Sequence, residues 1–319
     1  MPRWTLACCR RSRSPGVGGC HAERRRRTLG YKLVKAERHL RAFARFAAGR
    51  AEPHIRTASV LAWIGTVART PGARARRLTD LFLFARFLHA EDPRHEIPRA
   101  DVTWRRETRP IPYIYTADEI ARILAAAGNL RHQTPNPLRR QLYTMLFGLI
   151  AATGLRVSEA LALRLDDIQP GGVLHIRETK FRKSRLVPLH PTVIDALDRY
   201  LEVRRQRAGE SDWLFPSVQH RKLCPTTVNY TFRCTLRRAG IAPERSQQPR
   251  IHDLRHTFAT RVLEQCGAER GAVARHFVAL STYLGHADIR NTYWYLQATP
   301  EMMADIAAAA ERLVGESAA

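Results

Sequence analysis

"GGVLHIRETKFRKSRLVPL", residues 171–189, sets two β-prone runs on either side of a basic turn, which is the pattern of an antiparallel hairpin. Everything around it has a different period. Upstream, helical patterns fall near residues 117–127, 138–152 and 156–164; downstream they fall near 191–207, 225–239, 252–265 and 300–314. "TADE" at 116–119 has the Thr-x-x-Glu spacing of a capping box, in which each side chain satisfies the other residue's free backbone N–H, so a domain opens there. One hairpin among that many helices predicts a mostly α domain with a small antiparallel sheet over 116–299, followed by a C-terminal helix and tail over 300–319.

Farther upstream, Leu33, Ala36, Leu40, Phe43 and Ala47 recur at spacings of three and four, while Arg38, Arg41 and Arg45 form a separate stripe. Two more amphipathic patterns follow, around 58–70 (Val60, Leu61, Ile64, Val67) and 73–90 (Leu78, Leu81, Phe82, Ala85, Leu88), the last with Arg74 and Arg77 near its start. Residues 28–90 therefore read as a small all-helical domain with basic outer faces. Taken alone, such arginines fit a solvated surface as well as a ligand-binding one. Residues 91–115 hold four prolines and no helical period, as expected of an extended connector, and Arg105 and Arg106 make it basic. Residues 1–27 read as a disordered or mis-started basic segment, rich in Gly, Pro, Cys and Arg without periodicity.

Composition narrows the function. The 53 Lys and Arg against 29 Asp and Glu leave a formal charge of +24, spread along the whole chain of 319 residues. A charge of that size interleaved with amphipathic helices points to a polyanionic partner, and nucleic acid is the favoured one. The bland alternative is a compositional bias, since only five of the 53 are lysine. Cys8, Cys9, Cys20, Cys224, Cys234 and Cys266 form no CxxC pair and lack zinc-ligand spacing, so free thiols in a reducing cytosol are expected. No apolar run approaches the roughly 18 residues of a membrane span, and the basic start lacks the apolar segment of a signal peptide.

What could such a chain do to a phosphodiester? No GxxxxGK[ST] loop occurs, no GxGxxG follows a strand, and no carboxylate cluster suits magnesium. No metal or cofactor is expected. Phosphoryl transfer would have to use fixed cations and a side-chain nucleophile. "ATGLRVSEAL" (152–161) puts Arg156 just after a glycine helix stop; "ETKFRKSRLVPL" (178–189) carries Lys180, Lys183 and Arg185; "IHDLRH" (251–256) spaces His252 and Arg255 three apart on one helix face. "YLGHADIRNTYWYLQ" (283–297) adds His286, with Tyr293 and Tyr295 seven and nine residues later. Those tyrosines are two apart, so on a helix they face nearly opposite sides. Each residue has a plainer reading: Arg156 and Glu159 could simply pair, and His252 and His256 could be core or capping histidines.

At these residues the chain closely resembles the tyrosine recombinase (phage integrase) family, over about residues 28–314 and most strongly within 150–296. Arg156, Lys180, His252, Arg255 and His286 match that family's arginine, lysine, HxxR and histidine positions in order. The family's nucleophile follows the LGH histidine by nine residues, which is Tyr295, leaving Tyr293 as a packing residue. The chain departs from the family pattern in Thr179 and Phe181, where glycines usually flank the lysine, and in a longer interval from Arg255 to His286.

The resemblance implies a two-domain DNA clamp. Residues 28–90 would form the core-binding domain, and 116–299 the catalytic domain. It implies cleavage and rejoining through a 3′-phosphotyrosine without metal or ATP. Tyr295 would attack, Arg156, Arg255 and His286 would stabilise charge on phosphorus, His252 would assist, and Lys180 would protonate the leaving oxygen, with Lys183 as the alternative acid. Double-stranded DNA is the implied partner, contacted by Arg38, Arg41, Arg45, Arg74, Arg77, Arg105, Arg106, Lys183 and Arg185. A homo-tetramer on two DNA sites, with sister recombinases joining it, and a place in the bacterial cytoplasm at the nucleoid complete the expectation. Rival readings are an architectural DNA-binding member of the same fold that has lost cleavage, and an enzyme of topoisomerase type acting on one duplex.

Overall fold

A computed structural model describes residues 34–98, 112–131, 136–177, 184–241, 248–265 and 270–285. They fall into two compact units that part between residues 109 and 110.

Among the described residues the first unit holds three helices: α1 (Val34–Gly49), α2 (Thr57–Val67) and α3 (Pro71–Glu91). Thr70 starts α3 by accepting the Ala73 N–H, and Pro71 occupies the first helical turn, where its missing N–H costs nothing. The apolar residues at spacings of three and four turn inward. Leu40, Phe43, Ala44 and Ala47 meet Val60, Trp63 and Ile64 and then Leu78, Leu81, Phe84 and Ala85 in one core. Phe43 meets Trp63 edge-on, and His39 Nδ1 lies 2.7 Å from Asp80 Oδ2, linking α1 to α3.

The second unit centres on α5 (Arg139–Thr153). It buries Leu142, Tyr143, Met145, Leu146, Phe147, Leu149 and Ile150. That set leaves no polar face of consequence, which is the signature of a helix surrounded by its neighbours. They are α4 (Ala117–Gly128), α7 (Pro191–Arg207) and α9 (Ile251–Glu264). At the head of α4 the Thr116–Glu119 capping box forms as read, with both reciprocal hydrogen bonds present.

The hairpin also forms, with one strand more than expected. Strands β1 (Ile168–Gln169), β2 (Val173–Ile176) and β3 (Arg185–Pro188) pair antiparallel in that order, with Leu174 opposite Val187 and Ile176 opposite Arg185. Alternation turns Leu174, Ile176 and Val187 into the core, and puts Arg185 on that same inward face. The helix expected over 156–164 is only α6 (Val157–Ala160), because the chain turns away at Leu161 and Arg164 bridges to Trp213. The α8 helix (Pro225–Arg238) lies where expected, whereas α10 (Arg270–Leu284) was not foreseen. Phe277, Leu280 and Leu284 of α10 pack on Ala259 and Leu263 of α9. Among the described residues no helix is long and apolar enough to cross a membrane. The helix expected over 300–314 lies outside the described residues.

Candidate active site

Two helix ends bring the arginines together. Gly154 closes α5 in the left-handed region at φ 61°, and a Cβ there would stand 2.5 Å from Cδ1 of Phe258. Only glycine fits such a turn without strain. Two residues later Arg156 starts α6. The last turn of α10 ends at Leu284, followed by Gly285 at φ 65°. The terminal carbonyls of such helices lack intrahelical partners and carry the negative end of the dipole, so they attract cations.

Arg255, on α9, meets both ends. It is 1% exposed; its Nη1 donates to Gly154 O at 2.7 Å and its Nη2 to Leu284 O at 2.8 Å. Arg156 donates from Nη2 to Gly285 O at 3.1 Å, one peptide along from the carbonyl that Arg255 holds, and from Nη1 to Glu159 Oε1 at 2.7 Å. The plain reading of Arg156 and Glu159 as a pair is therefore correct, and it coexists with the convergence on Arg255.

Glu159 was not foreseen as a hub. Its nearly buried carboxylate accepts the Arg156 backbone N–H, the Arg156 guanidinium and both Nη groups of Arg185. Burial alone would push this carboxyl up; the hydrogen bond and charge of Arg185, and then of Arg156, outweigh it and hold the group down at about 2. Among the described residues Arg156 and Arg185 share this one carboxylate, so the pair keeps a positive charge in excess. A second Arg-x-x-acid cap repeats the device on α9, where Asp253 accepts from the Arg250 backbone and guanidinium.

His252 faces outward on α9, its ring 4.8 Å from that of His256. Desolvation among its neighbours, then the charges of His256 and Arg255, pull it down to about 4. It is neutral at neutral pH and able to accept a proton. Lys180, Lys183, His286, Tyr293, Tyr295, Arg105 and Arg106 lie outside the described residues.

The expected DNA contacts divide. Arg38 and Arg45 are exposed along α1, while Arg41 pairs with Glu37 at 2.6 Å. Arg74 and Arg77 are half-buried, donating to Ala68 O and Ala73 O. Arg185, expected at the DNA surface, is turned inward onto Glu159 with its side chain 13% exposed. The buried Glu159 carboxylate on α6 captures it.

Gly154 provides a direct check on this geometry. Gly154→Ala combines left-handed strain with a clash on Phe258, and an expected loss of about 2–4 kcal/mol in chemical denaturation follows. Denaturation midpoints equal to wild type would mean that the turn is not as described.

The phage integrase family model matches residues 114–302. The y4rB protein of Sinorhizobium fredii, which carries the name integrase/recombinase, is 40% identical over 294 residues, covering 90% of this chain and 94% of its own. The tyrosine recombinase XerD of Caulobacter vibrioides is 34% identical over 248 residues, 76% of each chain. Among solved structures, a lambda integrase tetramer bound to a Holliday junction shares the fold with a TM-score of 0.58 at 20% identity, over 86% of this chain and 75% of that one. The family model covers more than half of the chain, and both arginines lie within the residues it matches. This chain belongs to the phage integrase family, and it is a tyrosine-type site-specific DNA recombinase.

Proposed function

We propose that the chain cleaves and rejoins duplex DNA with Tyr295 as nucleophile and Arg156, Arg255 and His286 around the scissile phosphate. The observation that carries this reading is the meeting of Arg156 and Arg255 on the adjacent carbonyls of Gly285 and Leu284, immediately before His286. A phosphodiester brings the negative charge that the Arg156–Arg185–Glu159 group is short of, and the arginines are fixed before it arrives.

In the step itself, the Tyr295 oxygen forms a bond to phosphorus as the bond to the 5′ oxygen breaks. His252 assists, neutral and so able to take the tyrosine proton, and Lys180 supplies one to the leaving oxygen, with Lys183 as the alternative. The product is a 3′-phosphotyrosine and a free 5′ hydroxyl. Attack of another strand's 5′ hydroxyl reverses each transfer and releases Tyr295, so neither ATP nor metal is consumed.

The exposed Arg38 and Arg45, with Arg105, Arg106 and Lys183, are the proposed phosphate contacts. Residues 28–90 act as the clamping domain and 116–299 as the catalytic domain. Met302, Met303, Ile306, Ala310 and Leu313 stand at helical spacing in the C-terminal stretch, which suits docking on a neighbouring protomer. Assembly as a homo-tetramer on two DNA sites is part of the proposal; the lambda integrase of the same fold is a tetramer on a Holliday junction. Sister recombinases joining that assembly, and a place on the nucleoid, are further parts of the proposal.

A substrate with sulfur in place of the bridging 5′ oxygen tests the chemistry, since a thiolate leaves without a proton. Lys180→Ala is expected to slow cleavage of the oxygen substrate by about 10²–10⁴-fold and to cleave the sulfur substrate near the wild-type rate. Rescue confined to Lys183→Ala would move the acid to Lys183. Cleavage that leaves no protein on the 3′ end would sink the proposal.

A further inference from the structure

We propose that Arg185 is a positioning residue that holds the Arg156 guanidinium in place, and not a DNA contact. The inference rests on the reading of Arg156 as a phosphate ligand.

Strand alternation aims Arg185 inward beside Val187, and its two Nη groups donate to Glu159 Oε1 at 3.2 Å and Oε2 at 2.8 Å. Glu159 thereby bridges β3 to the start of α6. Arg185 also braces the other anchor of Arg156. A Cβ added to Gly285 would stand 3.0 Å from Arg185 Nη1, so the guanidinium packs against the turn whose carbonyl receives Arg156 Nη2. Both fixed points of Arg156, Glu159 Oε1 and Gly285 O, therefore lean on Arg185.

Removing that brace has a specific consequence. Glu159 loses two of its donors and offers both oxygens to Arg156, whose planar fork suits bidentate pairing with a carboxylate. Arg156 would then close onto Glu159, leave Gly285, and surrender the charge meant for phosphate. The Arg185 Nε is buried without a hydrogen-bond partner among the described residues, so the hydrogen bonds of its guanidinium there are the two Nη contacts to Glu159.

The test uses the full chain as Arg185→Gln, Arg185→Lys and Arg156→Lys. Two readouts separate contact from positioning. Binding to a fluorescent duplex of arbitrary sequence is followed over a range of salt concentrations. Loss of a phosphate contact lowers the slope of log affinity against log salt by about 1, whereas Arg185→Gln is expected to leave it at the wild-type value. Single-turnover trapping at saturating protein is then followed on nicked duplexes taken from DNA flanking the protein's own coding sequence.

Arg185→Gln is expected to trap about 100-fold more slowly, the scale of a roughly 1 Å displacement of a catalytic group. Arg185→Lys should recover part of the rate. Should Arg185→Gln melt early, Glu159→Gln/Arg185→Gln leaves no buried charge orphaned between those two positions, and it too should trap slowly at unchanged salt slope. A salt slope lowered by about 1 in Arg185→Gln would make the residue a DNA contact and overturn the proposal. Trapping at the wild-type rate in Arg185→Gln, with Arg156→Lys inactive, would overturn it while the role of Arg156 stands. Wild-type trapping in Arg156→Lys would instead remove the reading on which the inference rests.

Discussion

Arg255→Lys is expected to damage the fold and the chemistry together. The arginine fork spans Gly154 O and Leu284 O from inside the unit, at 1% exposure. A lysine presents one compact ammonium and cannot reach both helix ends, so at least one buried terminal carbonyl loses its donor. That costs about 1–3 kcal/mol of stability. The turnover effect should exceed it, because the remaining charge no longer sits where negative charge develops on phosphorus; about 10²–10³-fold in trapping rate is the scale for one preorganised donor. Denaturation and single-turnover trapping on the same preparation check both parts. A variant that unfolds early yet traps normally would show that Arg255 serves the fold alone.

Glu159→Ala is expected to be the most destabilising change in the site. It strips Arg156 and Arg185 of their shared carboxylate and the α6 N-terminus of its acceptor. Breaking a buried pair by removing one partner costs about 3–5 kcal/mol, and the lost cap adds about 1 kcal/mol. The wild-type protein should show the same dependence on acidification. The Glu159 carboxyl is depressed from 4.5 to about 2, so its contribution is full above pH 4.5 and fades as pH falls toward 2. Glu159→Gln should remove that part of the acid sensitivity. An acid unfolding curve of unchanged shape in Glu159→Gln would show that the carboxylate is not paired as described.

The strongly periodic helices were legible because their apolar spacing agrees with their ends: Thr116 with Glu119 at a start, Gly154 at a stop. The α10 helix was missed although Phe277, Leu280 and Leu284 recur at three and four, because the same residues were read as extra length before the LGH turn. The end of α6 could not be read locally. A pairing of Arg164 with distant Trp213 decides it, and no local pattern reports that.

Within the site, Arg156, His252 and Arg255 stood out through their motif order. The bridge between Glu159 and Arg185 did not, since nothing local pairs a carboxylate with an arginine 26 residues away that reads as a DNA contact. Period-two alternation carried the missing signal: Arg185 and Val187 share a face, and Val187 had to be inside.

The most direct measurement is covalent trapping on nicked duplexes by the wild-type chain, Tyr293→Phe and Tyr295→Phe, followed by denaturing electrophoresis. A protein–DNA band present in wild type and Tyr293→Phe and lost in Tyr295→Phe is the expected result. A band that survives Tyr295→Phe and disappears with Tyr293→Phe would contradict the assignment of the nucleophile. The absence of any band while duplex binding persists would contradict cleavage by this chain alone.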